Sequence, residues 1–150
     1  YHKGSMMSMV CRAVSQIRES GKIRLFKSGH PDYGDGESLR DFVYSKDVAA
    51  LMYWFMTTPS VNGIFNAGSG KARTWNALAN AVFAAMGREP AIEYFDMPEH
   101  LKGKYQYFTE ADMSWMRRRE CPVKFHTLEE GVSDYVCRYL MQDDPYLCSL

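Results

Sequence analysis

The stretch NGIFNAGSGK at 62–71 constrains this chain of 150 residues more than any other. An Asn-Gly turn, a short apolar run and a glycine-rich connection lead into a helical pattern from Thr74 to about Met86, with Gly87 as its stop. A strand over 63–67 that feeds such a loop and a packed helix belongs in a parallel sheet whose neighbours come from similar units. Those neighbours are scarce in the rest of the sequence. Met6, Met9, Val10, Ala13, Val14 and Ile17 recur at helical spacing, predicting a helix over 5–19 that Gly21 stops. Residues 23–26 read as a short strand, 27–38 as a loop and 40–44 as a second strand. Ser45 is placed to cap a helix ended by Pro59, and 91–95 reads as a further strand. Thr109 with Asp112, and Thr127 with Glu130, have capping-box spacing and predict two final helices, the second running to about Met141. The pattern is α/β with too few strands of its own, so residues 1–150 are expected to be the C-terminal portion of something larger. Such a portion leaves a sheet edge or an apolar helix face uncovered.

Composition narrows the partners. The sequence is 46% hydrophobic and 14% aromatic, enough for a packed core. Lys plus Arg and Asp plus Glu both total 18, so no net charge draws the chain to nucleic acid or to an anionic membrane. The longest mainly apolar stretch, 48–56, is too short to span a bilayer, and no signal-peptide pattern opens the chain, which predicts a cytoplasmic location. Cys11, Cys121, Cys137 and Cys148 form no CxxC pair and the four histidines are scattered, so free thiols and no metal site are expected. GSGKA at 68–72 lacks the earlier glycine and the following Ser or Thr of a phosphate loop. It also lacks the third glycine of a dinucleotide fingerprint, Arg73 standing there. A tight strand-to-helix connection is the simpler reading.

Two features point to a ligand. HKGSM at 2–6 is either the scar of a cleaved tag or a loop where a lysine, a flexible backbone and free amides meet an anion. The twelve-residue loop KSGHPDYGDGES at 27–38 is either a binding element or a surface excursion. Lys3, Ser5, Arg12, Phe26, Lys27, Ser28, Gly29, Arg40 and Tyr105 gather in segments around the open end of the α/β unit. Arginine forks suit phosphate oxygens and aromatic faces suit a base or sugar, so the set fits a nucleotide-bearing anion.

HKGSM, LFKSG, the PDYGDGE loop, RDFVYSKDVA, GIFNAGSGKARTW and LKGKYQYFTEADM occur in that order and span nearly the whole chain. With them the sequence resembles the ADP-glyceromanno-heptose 6-epimerase family of extended short-chain dehydrogenases/reductases. The RDFVY and GIFNAGSG segments are shared across the wider superfamily, whereas HKGSM and LKGKYQ with FTEADM are more specific. The resemblance decides the HKGSM question for chemistry. It implies the substrate-binding subdomain plus the last strand and helix of a Rossmann-type parallel sheet. It also implies NADP held by an N-terminal domain missing upstream of residue 1, an ADP-sugar substrate and a homo-oligomer when intact. The implied reaction inverts C6 of ADP-D-glycero-D-manno-heptose, for the inner core of lipopolysaccharide, by passing a hydride to the nicotinamide and back through a transient ketone. By this resemblance Lys3 is one of two acid/base residues, beside the nicotinamide. Ser5, Arg12, Phe26, Lys27, Ser28, Gly29, Arg40 and Tyr105 then line the ADP-sugar pocket, with Arg40 at the diphosphate. For Lys3 to accept a proton near neutral pH, burial or a neighbouring cation must lower its pKa from about 10.4.

The chain also departs from the family. It has no GxxGxxG and no Tyr-x-x-x-Lys, since Val48 follows Tyr44 and Thr109 follows Tyr105 at that spacing. Alone it is expected to be inactive. Two other readings stay open: a non-catalytic nucleotide-binding or oligomerisation module, and a UDP-sugar epimerase or dehydratase of the same superfamily.

Overall fold

A computed structural model describes residues 7–144. In chain order the elements are α1 (Met9–Ser20), β1 (Ile23–Phe26), β2 (Leu39–Arg40), α2 (Ser45–Thr57), β3 (Arg73–Thr74), α3 (Trp75–Ala85) and β4 (Ile92–Phe95). A 3-10 turn (Glu99–Leu101), α4 (Ser114–Arg118) and α5 (Leu128–Tyr135) follow, and the chain continues from α5 as a π-helical turn over Val136–Leu140. β1 and β4 pair in parallel, Ile23 opposite Ile92 and Phe26 opposite Phe95. β2 and β3 pair antiparallel, Leu39 opposite Thr74.

Local chemistry explains most of these boundaries. Ser8 caps α1 by accepting the Cys11 amide at 3.2 Å, and Gly21 ends the helix in the left-handed region at φ 74°. Thr74 caps α3 through the Ala77 amide at 3.0 Å. Thr127 and Glu130 form the expected capping box of α5, with side-chain bonds running in both directions. The core lies where α1, α3 and the end of α5 close on β1: Ile17, Val82, Phe83 and Val136 are wholly buried and Ile23 nearly so. Burying each such side chain stabilises the fold by roughly 1.5–3 kcal/mol relative to leaving it exposed. Across this core, an Arg18 guanidinium nitrogen donates to the Leu140 carbonyl at 2.8 Å, tying the first helix to the last turn.

Four expectations are corrected. Residues 63–67 form no strand, because no described strand lies beside them; Ile64 is fully exposed, and Phe65 turns onto Phe55 with ring centroids 4.9 Å apart. The strand expected over 40–44 ends at Arg40, since Asp41 turns away to bind the 68–70 loop. Ser45 does not cap α2 but is its first residue, Tyr44 holding the cap position without a side-chain bond. Thr109 opens no helix. Its amide donates to the Leu39 carbonyl at 3.1 Å and its carbonyl accepts from Asp41 at 2.9 Å, so its segment lies beside β2, and α4 starts only at Ser114. The uncovered face is present: Met52, Tyr53 and Met56 of α2 are 61, 69 and 80% exposed.

Candidate functional site

Between α1, β1 and the end of β4 lies a cavity of about 210 Å³. Arg12 reaches it from α1, Phe26, Lys27 and Ser28 from the end of β1, and Tyr105 from the segment that runs beside the long loop. The structure therefore gathers five of the predicted residues in one place. Phe26 packs on Phe95 at 4.9 Å and meets Tyr105 edge-on at 6.3 Å, giving the cavity an aromatic wall. Arg12 has no ion-pair partner among the described residues, whereas the Lys27 ammonium lies 3.1 Å from Asp96. The Arg24 guanidinium lies 4.5 Å from the Phe95 ring centroid.

The remaining predicted residues are placed differently. Gly29 stands at the rim, where the Tyr107 hydroxyl lies 3.5 Å from the position a side chain would take. Arg40 is outside the cavity lining; its guanidinium lies 5.1 Å from the Tyr105 ring centroid and donates to the carbonyls of Leu39, at 2.8 Å, and Gln106. Lys3 and Ser5 lie outside the described residues. Two larger hollows, of about 350 and 490 Å³, hold none of the predicted residues.

Sequence reasoning missed the contacts that set the site's shape. Ser38 is buried, its hydroxyl 3.1 Å from the Tyr105 hydroxyl. Tyr107 also lines the cavity, and its spacing of two from Tyr105 in KYQYF was the available signal, since alternate residues of an extended segment share a face. Asp41 knits the 68–70 loop: its carboxylate accepts from the Ser69 amide at 2.9 Å, the Ser69 hydroxyl at 2.6 Å, and the Gly70 and Ala111 amides at 3.0 Å each. Burial opposes its ionisation, but these donors prevail and hold Asp41 below the usual carboxylate range. The connection is thus the structural one the sequence favoured. It offers no cradle for a dinucleotide phosphate, because its amides already serve a carboxylate. Tyr44 is equally committed. Burial and its bond to Asp134, 2.6 Å from the hydroxyl, push the phenol up to about 12 and keep it protonated at neutral pH.

The fold, with its parallel β1–β4 pairing and surrounding helices, is similar to those of solved nucleotide-sugar epimerases and dehydratases, and the model of the NAD dependent epimerase/dehydratase family matches residues 1–68. A crystal structure of ADP-L-glycero-D-manno-heptose-6-epimerase from Helicobacter pylori superposes with a TM-score of 0.72 at 24% identity, covering 90% of this chain and 38% of that one. Thermus thermophilus UDP-glucose 4-epimerase in complex with NAD gives 0.64 at 22% identity, covering 83% and 37%. In sequence, the chain is a homologue of the ADP-L-glycero-D-manno-heptose-6-epimerase of Nitratidesulfovibrio vulgaris strain Hildenborough, 58% identical over 147 residues. That alignment takes in 98% of this chain and 46% of the relative, so the chain spans about half the length of the curated relatives it matches.

Proposed function

We propose that this chain is the C-terminal, substrate-binding portion of a cytoplasmic nucleotide-sugar epimerase. In this reading the intact protein is a homo-oligomer that converts ADP-D-glycero-D-manno-heptose to ADP-L-glycero-D-manno-heptose by oxidation and re-reduction at C6. One observation carries the reading: Arg12, Phe26, Lys27, Ser28 and Tyr105, drawn from three separate segments, meet in one cavity of charged and aromatic lining. Arg12, with no carboxylate on it among the described residues, has a guanidinium suited to a phosphate oxygen. Phe26 and Tyr105 give flat faces to a base or sugar, with Ser28 beside them in the lining. Arg40, stacked on Tyr105, braces that ring and keeps further N–H groups for the diphosphate.

In this reading NADP is held by a separate, N-terminal portion of the intact protein. The redox step lies there with it. Within this chain Lys3 is the proton-transferring group, acting on the face of C6 opposite the tyrosine that the cofactor portion supplies. The 58% identity with a heptose epimerase favours ADP-heptose over a UDP-sugar.

Calorimetric titration of the chain with ADP and with UDP tests the assignment. ADP is expected to bind more tightly, Arg12→Met to weaken ADP by roughly tenfold through loss of a charge-assisted contact, and NADP not to bind. A clear UDP preference would overturn the heptose reading, and tight NADP binding would overturn the division of labour.

A further inference from the structure

The His30–Tyr33 part of the long loop over 27–38 is held against the 105–107 segment by one side chain. Tyr107 stacks on Tyr33 at an interplanar angle of 22° with centroids 5.6 Å apart, lies 4.7 Å from the His30 ring, and meets Tyr105 edge-on at 5.1 Å. His30 and Tyr33 also touch each other, at 5.3 Å. The Tyr107 hydroxyl also lies beside Gly29, 3.5 Å from the position of a Cβ there, an ordinary contact distance. The loop's hydrogen bonds do not replace this contact. The Ser28 amide donates to Asp35 at 2.7 Å and the Ser28 hydroxyl to the His30 carbonyl at 3.3 Å, both inside the loop. Asn76 of α3 anchors the far end only: its side-chain amide donates to the Asp35 carbonyl at 2.9 Å and its backbone amide to Gly36 at 3.0 Å. Within 28–33, His30 and Tyr33 meet the 105–107 segment through Tyr107, a non-local contact that helps offset the conformational entropy lost in ordering them.

We infer that Tyr107 is a positioning residue: with His30 and Tyr33 it clasps the loop to the 105–107 segment, so that Ser28, Gly29 and Tyr105 present one wall to a nucleoside diphosphate. The ligand's identity rests on the reading above; the clasp rests on the ring geometry alone. The clasp residues need not touch the ligand. Each ring contact is individually modest, and together they decide whether the wall is assembled before the ligand arrives.

Amide hydrogen exchange and ADP titration of the 150-residue chain separate the two parts. In Tyr107→Leu, exchange at 28–33 is expected to quicken and ADP to bind roughly tenfold more weakly, the scale of one lost aromatic pair. The α3 amides should stay protected, reporting an intact core. Tyr107→Phe keeps the ring and should restore both readouts. Unchanged exchange at 28–33 in Tyr107→Leu would overturn the clasp. Quickened exchange with unaltered ADP affinity would overturn the positioning role. Absence of ADP binding by the unsubstituted chain, with the exchange response present, would sink the nucleotide reading and leave the clasp supported.

Discussion

Asp41 shows how one side chain sets local structure at a distance in sequence. Its carboxylate ends β2, satisfies two amides of the 68–70 loop and reaches the Ala111 amide, so three segments share one anion. Gly68 is required beside it: a Cβ there would come within 2.5 Å of both Asp41 and Ala111. Asp41→Asn keeps the size but loses the charge and one acceptor; chemical denaturation should find it destabilised by about 2–3 kcal/mol. The pH dependence has a definite sign. The folded pKa is depressed, so the stabilisation is present above the unfolded value of about 3.9 and fades as pH falls through the folded one. The wild-type chain should lose stability in acid more steeply than Asp41→Asn, and parallel curves would remove Asp41 from the acid response.

Among the elements, those written in local chemistry were legible and those decided by distant partners were not. β1, α3 and α5 carry their own signals: a β-branched and aromatic run, a Thr cap with a Gly stop, a Thr-Glu box. Thr109 has the same capping spacing, yet its backbone is paired across β2 and the helix never starts there. The 63–67 segment reads as a strand because its residues suit one, and it remains unpaired because pairing is not a local property. The site divides likewise. Arg12, Phe26, Lys27, Ser28 and Tyr105 were nominated by residue chemistry and by the family resemblance, whereas the contacts of Ser38 with Tyr105 and of Tyr107 with His30 join segments far apart in sequence, which no local rule pairs. The α5 box makes a direct prediction. Thr127→Ala should cost about 1 kcal/mol and lower Tm by roughly 3 °C in a calorimetric scan, and an unshifted Tm would mean that α5 is held by packing alone.

For the whole molecule, the uncovered side of α2 is expected to govern behaviour in solution. Met52, Tyr53 and Met56 share a helix face at spacings of three and four, and exposed apolar surface of this kind favours association. Sedimentation velocity of the 150-residue chain should show concentration-dependent self-association that the double substitution Met52→Lys, Met56→Lys relieves. A wild-type chain that stays monomeric at every concentration would contradict this.

The bond from Arg18 to the Leu140 carbonyl crosses 122 residues, and beside it Ile17 and Val82 share their cluster with Val136. A nascent chain emerging from the ribosome can wind α1 early, but it cannot seal that helix's inner side until residues 136–140 have cleared the exit tunnel. Birth and burial of that helix are therefore separated by the synthesis of the 122 residues between them, during which chaperones that grip greasy helices have their opening.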